Sequence, residues 1–154
     1  MVLDEVTRDL IDKSVLCWLA TVSETGEPSV SPKELWGIAG EDSLVIADIA
    51  SANSVANIRN RSRVCVSFIE IFRQKGMKLY GEAEIIPSST DSFQDLGEEL
   101  LTIAGDRFVV RNLIHVHVDR ARKIIAPSYM FFPDTDEEKM IQESFRTYGV
   151  LPGL

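Results

Sequence analysis

The sequence predicts a mainly β protein that folds as a small antiparallel barrel with peripheral helices. About seven segments carry the alternating or continuous apolar patterns of strands, and short turns join most of them. Only three or four segments show helical spacing. A sheet with about seven antiparallel strands avoids exposed edges by closing on itself. We therefore expect one domain over residues 1–154, because the chain shows no linker and no internal repeat.

The N-terminal part predicts a short helix followed by a hairpin. Residues 3–13 form the amphipathic helix, because their apolar members recur at helical spacing: Leu3, Val6, Leu10 and Ile11. The first strand spans 15–23, Gly26 lies in the turn, and Pro28 opens the second strand. Pro32 has no N–H to donate, so the second strand is expected at an edge, a bulge or a break.

The other elements follow from apolar periodicity and turn residues. Residues 37–42 form the next turn, and Ser88 to Thr90 cap a later helix. The predicted strands span 43–49, 63–71, 77–87, 108–118 and 122–126. The predicted helices span 52–61, 91–105 and 134–148.

Composition and charge limit the possible functions. The net charge is −8, from 24 acidic and 16 basic residues, and no basic domain is present to neutralise a nucleic acid. No apolar run is long enough to cross a membrane, and the acidic N-terminus is not a signal peptide. We therefore expect a cytoplasmic protein. Cys17 and Cys65 lie in apolar strands and are expected to be buried free thiols rather than a disulfide or zinc ligands.

One candidate binding site lies at the start of the helix over 52–61. Ser51, Asn53 and Ser54 are small and polar, and a helix N-terminus with such residues can accept a phosphate. The second strand places Ser29, Ser31 and Lys33 on one face, and Lys33 can add positive charge if that strand lies alongside. An ordinary helix cap with polar surface residues is the alternative interpretation.

Nearly the whole chain resembles the FMN-binding split barrel of the pyridoxamine 5′-phosphate oxidase-like superfamily. The order and spacing of its segments carry the resemblance, beginning with the first helix. The segments that follow are LATVSETGEPSVSPK, LVIADIASANSVANI, RNRSRVCVSF, KLYGEAEII and the tail IAPSYMFFPDTDEEK.

The resemblance implies a split β-barrel that forms a homodimer, with FMN in clefts at the subunit interface. It assigns flavin contacts to two strands and phosphate contacts to the helix start. The flavin-bordering residues are Ser31, Pro32, Lys33, Ala47, Asp48, Ile49 and Ala50. The phosphate-binding residues are Ser51, Asn53, Ser54 and Asn57. Asp48 is equally well explained as a plain strand-end residue.

The sequence departs from true pyridoxamine phosphate oxidases at three places. Asn53 and Ser54 replace an Arg-Lys pair, and Ser31 replaces a flavin-contacting Arg. The C-terminal segment that carries their substrate-binding Arg is not recognisable. We therefore expect a substrate other than pyridoxamine phosphate.

The resemblance implies an oxidoreductase that moves hydride or electrons between a donor and a small-molecule substrate. The expected donor is a reduced nicotinamide or a deazaflavin. The alternative is a non-catalytic protein that binds a flavin, haem or another anionic small molecule. No catalytic residue is assigned, and the sequence lacks the Gly-x-Ser-x-Gly, P-loop and Gly-x-Gly-x-x-Gly motifs.

Two histidines and three aromatic residues are further candidates. His115 and His117 share one face of a strand, but no third ligand is evident, so a metal site is not expected. We expect the polar face of a strand at the dimer interface or cofactor cleft. Trp18 and Trp36 are expected to be packing residues, and the alternative for Trp36 is to cover the flavin cleft. Tyr129 is expected either to pack or to approach the partner's flavin.

Overall fold

Seven antiparallel strands form one sheet in the computed structural model, which describes residues 1–151. The strands are β1 (Cys17–Val22), β2 (Pro28–Lys33), β3 (Trp36–Ala39), β4 (Ser43–Asp48), β5 (Arg63–Glu70), β6 (Lys75–Pro87) and β7 (Asn112–Ile125). Their order in the sheet is β2-β1-β5-β6-β7-β4-β3. The helices are α1 (Glu5–Asp12), α2 (Ala52–Asn60), α3 (Ser92–Ala104), α4 (Pro127–Phe131) and α5 (Glu137–Tyr148), with a 3₁₀ turn at Gly105–Arg107.

The sheet curls because its two edge strands are neighbours in sequence. β2 ends at Lys33 and β3 begins at Trp36, so two residues connect opposite edges of the sheet. Three Cα–Cα steps reach about 11 Å at most, so these edges must lie close together. The Leu35 carbonyl also accepts a hydrogen bond from the Ala47 N–H (2.9 Å). The predicted mainly β split barrel with peripheral helices is confirmed.

The barrel interior holds the main hydrophobic core. Alternate residues of the strands point inward and are fully buried, among them Leu19, Val66, Phe68, Leu79 and Ile114. Leu10 and Ile11 of helix α1 close this core, together with Leu3, which precedes the helix. A second cluster lies on the outer face of β4 and β7, where α3 packs: Val45, Ala47, Phe93, Leu100 and Leu113.

Two strand predictions were wrong. The segment predicted as a turn at 37–42 contains β3, because Gly37 to Ala39 pair with β4 and only the residues after them turn. The two strands predicted over 108–118 and 122–126 are one strand, β7, which begins only at Asn112. Tyr80 pairs with Arg120 and Gly81 with Val118, so Asp119 is an extra residue in β7. This β-bulge explains the interrupted apolar pattern.

The helix predictions need three corrections. Val6 is 54% exposed instead of facing the core, and Thr7 is buried in its place. Ser88 to Thr90 do not cap α3, which follows Asp91. The described chain has five helices instead of three or four, because the prediction missed α4. The last helix, predicted from residue 134, begins only at Glu137. None of the helices within residues 1–151 is both long and apolar enough to cross a membrane.

The cysteines are both free thiols, as predicted. Cys17 is buried, whereas Cys65 is only half-buried. Burial raises the pKa of Cys17 to about 12, so this thiol is neutral at physiological pH. Cys17 pairs with Lys33 across β1 and β2, so it lies beside the candidate site without adding charge to it.

Candidate functional site

Strand β2 lies against the start of helix α2, as the anion-site hypothesis requires. Alternate residues of β2 meet the helix start through side-chain hydrogen bonds. Asn53 Nδ2 donates to Ser29 Oγ (3.1 Å), Ser31 Oγ and Ser54 Oγ lie 3.2 Å apart, and Lys33 Nζ donates to Ser51 Oγ (2.5 Å). The period-two pattern of the sequence therefore correctly predicts which β2 side chains face the helix.

The first turn of α2 presents free backbone donors. The N–H groups of Ala52, Asn53 and Ser54 have no acceptor within the described part of the chain, and the first intrahelical bond is from Val55 N to Ser51 O (2.9 Å). The Ser51 side chain does not cap the helix. No acidic residue occupies the first turn itself, and of the N–H groups at this helix start the nearby Asp48 carboxylate binds only that of Ser51, the residue before the helix.

Lys33 adds a buried positive charge to this helix start. Its residue is 8% exposed, and among residues 1–151 its ammonium group has Ser51 Oγ as its one hydrogen-bond acceptor. Burial lowers the pKa of Lys33, while the nearby charge of Asp48 opposes that shift. An ammonium group can donate three hydrogen bonds, so Lys33 has donor capacity left for an anion.

Asp48 supports the loop that leads from β4 into α2. Its side chain is buried, and each carboxylate oxygen accepts one hydrogen bond. Oδ1 accepts from the Ser51 N–H (2.9 Å), and Oδ2 accepts from Asn112 Nδ2 (2.6 Å). Asp48 therefore links β4, β7 and the first residue before α2, and it holds Ser51 in place.

An open cleft of about 430 Å³ adjoins the helix start. Its lining residues are Pro32, Lys33, Glu34, Leu35, Ala47, Ile49, Ala50, Ser51, Ile103, Ala104 and Phe108. Lys33, Glu34 and Ser51 contribute polar groups to the lining, and most of the wall is apolar. The combination suits a ligand that has a flat apolar part and an anionic end.

The predicted site residues fall into three groups. Six line the cleft: Pro32, Lys33, Ala47, Ile49, Ala50 and Ser51. Ser31, Asn53 and Ser54 form the neighbouring contacts between β2 and α2, and Asp48 braces the loop. Asn57 lies deeper, where its buried amide donates to Thr21 Oγ1 (3.0 Å).

Sequence reasoning missed the wall formed by the end of α3 and the segment after it. Ile103 and Phe108 are more than half and nearly half exposed, respectively, yet both line the cleft. They lie more than 50 residues after Ser51, so no local spacing indicates the contact. The one signal of this contact in the sequence was an apolar residue at an exposed position near a helix end.

Two of the other aromatic candidates pack away from the cleft. Trp36 lies edge-on against Phe68, with ring centroids 4.8 Å apart. The Tyr129 hydroxyl donates to the Arg73 carbonyl (2.9 Å), and Lys75 Nζ lies 4.5 Å from the centre of its ring. In each case the structure supports the packing interpretation of the residue within the described chain.

The comparison with protein families agrees with this fold. A family profile described as pyridoxamine 5′-phosphate oxidase matches residues 3–125. The chain belongs to the pyridoxamine 5′-phosphate oxidase family. Its match includes every strand and the whole of the cleft, while α4 and α5 follow the matched region. No curated protein matches the sequence.

Solved structures with the same fold come from proteins of different descriptions. A HupZ variant from Group A Streptococcus is 22% identical, with a TM-score of 0.67, covering 80% of this chain and 100% of its own. An FMN-binding protein from Syntrophomonas wolfei subsp. wolfei is 14% identical, with a TM-score of 0.64 and coverages of 79% and 90%. HutZ, described as the haem storage protein of Vibrio cholerae, is 15% identical, with a TM-score of 0.63 and coverages of 81% and 95%. At these identities the similarity shows the fold alone.

Proposed function

We propose that this family member binds FMN and acts as an FMN-dependent oxidoreductase on a small molecule. The observation that carries the proposal is the buried Lys33 ammonium beside three free N–H groups at the start of α2. Family membership and the FMN-binding protein of the same fold support the choice of flavin.

The residues at the helix start fit a phosphate group. A phosphate would give Lys33 an anionic hydrogen-bond acceptor in addition to the neutral Ser51 Oγ, and it would supply acceptors for the N–H groups of Ala52, Asn53 and Ser54. The present contacts among the Ser31 and Ser54 hydroxyls are bonds between neutral groups. Hydrogen bonds from these hydroxyls to a charged phosphate would be roughly twice as strong as the present ones.

The apolar part of the cleft fits the flavin ring system. Pro32, Leu35, Ile49, Ala50 and Phe108 would border it. A bound flavin supplies two-electron and one-electron redox chemistry, which this chain's side chains lack. The protein would bind the phosphate, orient the ring and keep water from the apolar wall of the cleft.

The proposal includes a homodimer with the cofactor at the subunit interface. The outer face of the β1–β2 hairpin supports it, because Trp18 is 41% exposed and Val30 is 59% exposed. Trp18 pairs with Pro32, a residue of the cleft wall, so a partner on this face would also lie beside the cleft. Exposed aromatic and aliphatic side chains of this kind are typical of protein interfaces.

The proposed electron donor is a reduced nicotinamide or a deazaflavin, and the proposed substrate is not pyridoxamine phosphate. The short polar residues Asn53 and Ser54 at the helix start support a different substrate, since they replace the cationic side chains of true pyridoxamine phosphate oxidases.

The proposed location is the cytoplasm. The free thiols Cys17 and Cys65 support it, because a reducing compartment keeps thiols unpaired.

The first test is a visible spectrum of the purified protein after incubation with FMN and removal of free ligand. We expect a retained flavin spectrum and a higher unfolding temperature, because a ligand that binds only the native state stabilises it. Reduction of the bound flavin by NADH, NADPH or a reduced deazaflavin, with turnover, is expected next. A colourless protein with an unchanged unfolding temperature would contradict the proposal.

A second candidate function is haem binding without catalysis. The similarity to HutZ favours it, since that protein has the same fold and is described as a haem storage protein. Titration with haemin in parallel with FMN separates the two functions. A Soret band that persists after desalting, together with no retained flavin, would favour haem binding.

A further inference from the structure

Three side chains with metal-binding atoms converge on the outer face of the sheet, away from the cleft. His115 and His117 project from the same face of β7, and Glu84 lies directly opposite His115 on β6. Glu84 Oε1 is 3.0 Å from His115 Nδ1 and 3.2 Å from His117 Nε2. The candidate ligand atoms of all three residues lie within 4.8 Å of one another.

The two Glu84 separations are close to those between ligand atoms in a metal site. Zinc lies about 2.0–2.2 Å from imidazole nitrogen and carboxylate oxygen, so two ligand atoms of a tetrahedral site are about 3.4 Å apart. The two observed Glu84–histidine distances are within a few tenths of an ångström of this value. The imidazole rings are tilted by 60°, with centroids 4.1 Å apart, so they do not stack face to face.

The neighbouring strand provides a partner for the second nitrogen of one ring. His117 Nδ1 lies 3.3 Å from Ser43 Oγ, and Ser43 pairs with His117 across β4 and β7. A hydroxyl group can accept a hydrogen bond from the Nδ1–H group when Nε2 binds a metal. Such partners fix the tautomer and the orientation of metal-binding histidines.

We propose that Glu84, His115 and His117 bind one divalent first-row transition-metal ion, such as Zn²⁺, Co²⁺ or Ni²⁺. Two imidazole nitrogens favour these ions over Mg²⁺ and Ca²⁺, which prefer all-oxygen ligands. The side chains of Glu84 and His117 are 54% and 57% exposed, and that of His115 is 15% exposed. The ion therefore keeps at least one position open to water or a small ligand.

The test is metal titration of the full chain, with any affinity tag removed and residual metal extracted with EDTA. Isothermal titration with Zn²⁺ is expected to show one site per chain. Titration with Co²⁺ is expected to give the visible bands of a low-coordinate site with nitrogen and oxygen ligands. His115→Ala, His117→Ala and Glu84→Gln are each expected to weaken binding at least about tenfold, since even second-shell changes cost 10–100-fold.

Glu82→Gln is the matched control, because Glu82 lies opposite His117 on β6 but pairs with Ser62 and Arg63 instead. We expect this variant to bind Zn²⁺ as the unmodified protein does, and Ser43→Ala to weaken binding less than the ligand variants. Unchanged unfolding temperatures without metal show that the substitutions leave the fold intact. No Zn²⁺ binding, or a site that survives the three ligand substitutions, would overturn the proposal.

Discussion

Lys33 and Asp48 are the buried lysine and the buried aspartate among the described residues, and both lie at the start of α2. Burying a charged group without full pairing is costly. Asp48 is satisfied by two hydrogen bonds from neighbouring groups, whereas Lys33 has one. We interpret the incomplete pairing of Lys33 as the cost of a site that pairs fully only with a bound anion.

Lys33→Met tests this interpretation in the absence of ligand. Burial lowers the pKa of Lys33, so between that pKa and the ordinary lysine pKa the unfolded chain holds a proton that the folded protein has lost. The free energy of unfolding therefore rises with pH across this interval. The variant should lack that rise and be more stable than the unmodified protein near neutral pH, by about 1 kcal/mol or more.

Denaturant unfolding of both proteins at several pH values up to about 10 measures the difference between their stabilities. Taking the difference removes the contributions of other groups that titrate in the same range. A difference that does not change with pH would show that Lys33 has an ordinary pKa in the folded protein.

Asn53→Asp, in the first turn of α2, is expected to raise the stability of the protein and to weaken FMN binding. A carboxylate at a helix N-terminus stabilises the helix by about 0.3–1 kcal/mol. The same charge repels a phosphate, at a cost of about 1–4 kcal/mol for charges near 4 Å, so FMN binding should weaken about fivefold or more. Chemical denaturation without ligand and fluorescence titration with FMN measure the two effects.

Asn60→Asp is the matched control at the other end of α2, where Asn60 Nδ2 donates to the Ala56 carbonyl (3.0 Å). The same chemical change there should lower stability and leave FMN affinity unaltered. Equal effects of both substitutions on FMN binding would mean that the helix N-terminus is not the phosphate site.

At the residue level, the sequence predicts which face of a strand a side chain occupies better than it predicts which side chains of other strands it contacts. The period of two correctly places Ser29, Ser31 and Lys33 on one face, because strand geometry alone determines it. The approach of Glu84 to His115 and His117 depends on the register between β6 and β7. That register follows from the packing of the whole sheet, so spacing within one segment does not indicate it.

At the level of elements, the errors share one physical cause. The chain crosses from one sheet edge to the other at Glu34 and Leu35, and the segment after this junction, predicted as a turn, contains a strand because residues 36–39 pair with β4. In β7 the bulge at Asp119 interrupts the alternation without ending the strand. Periodicity reports which side chains are buried, whereas strand ends and bulges depend on backbone pairing with distant segments.

Gly81→Ala tests the close approach of β6 and β7 at this bulge. A Cβ atom on Gly81 would lie 2.1 Å from the His117 carbonyl oxygen, and a backbone atom cannot move aside as a side chain does. We expect the free energy of unfolding to fall by about 1–3 kcal/mol or more. Denaturant unfolding measures the change.

Gly37→Ala provides the control, because its nearest contact would be an ordinary 3.7 Å approach to Leu100 Cδ2. This substitution is expected to change stability by less than about 1 kcal/mol, since an alanine in a strand is intrinsically favoured over glycine. Similar losses in the two variants would argue against a special approach at the bulge.

For the whole molecule, the proposed dimer predicts that assembly and cofactor binding are coupled. Val30→Glu places a charge on the exposed outer face of β2, beside Trp18 and the cleft wall. We expect a shift from dimer to monomer and weaker FMN binding, because a buried unpaired charge opposes association. Light scattering after size exclusion measures the mass, and FMN titration measures the affinity.

Val6→Glu adds the same charge at a site of similar exposure on α1, where Val6 is 54% exposed against 59% for Val30. It should leave mass and FMN affinity unchanged. An intact dimer in the Val30 variant would exclude this face as the interface, and a monomeric unmodified protein would reject the dimer itself.

The most direct test of the central claim compares FMN with riboflavin, which has the same ring system and no phosphate. We predict that the unmodified protein binds FMN at least about tenfold more tightly, because a charge-assisted hydrogen bond contributes about 1.5–3 kcal/mol. We also predict that Lys33→Met removes most of this preference while riboflavin affinity stays nearly constant. Equal affinities for the two flavins, or an undiminished preference in the variant, would contradict a phosphate site at Lys33 and the start of α2.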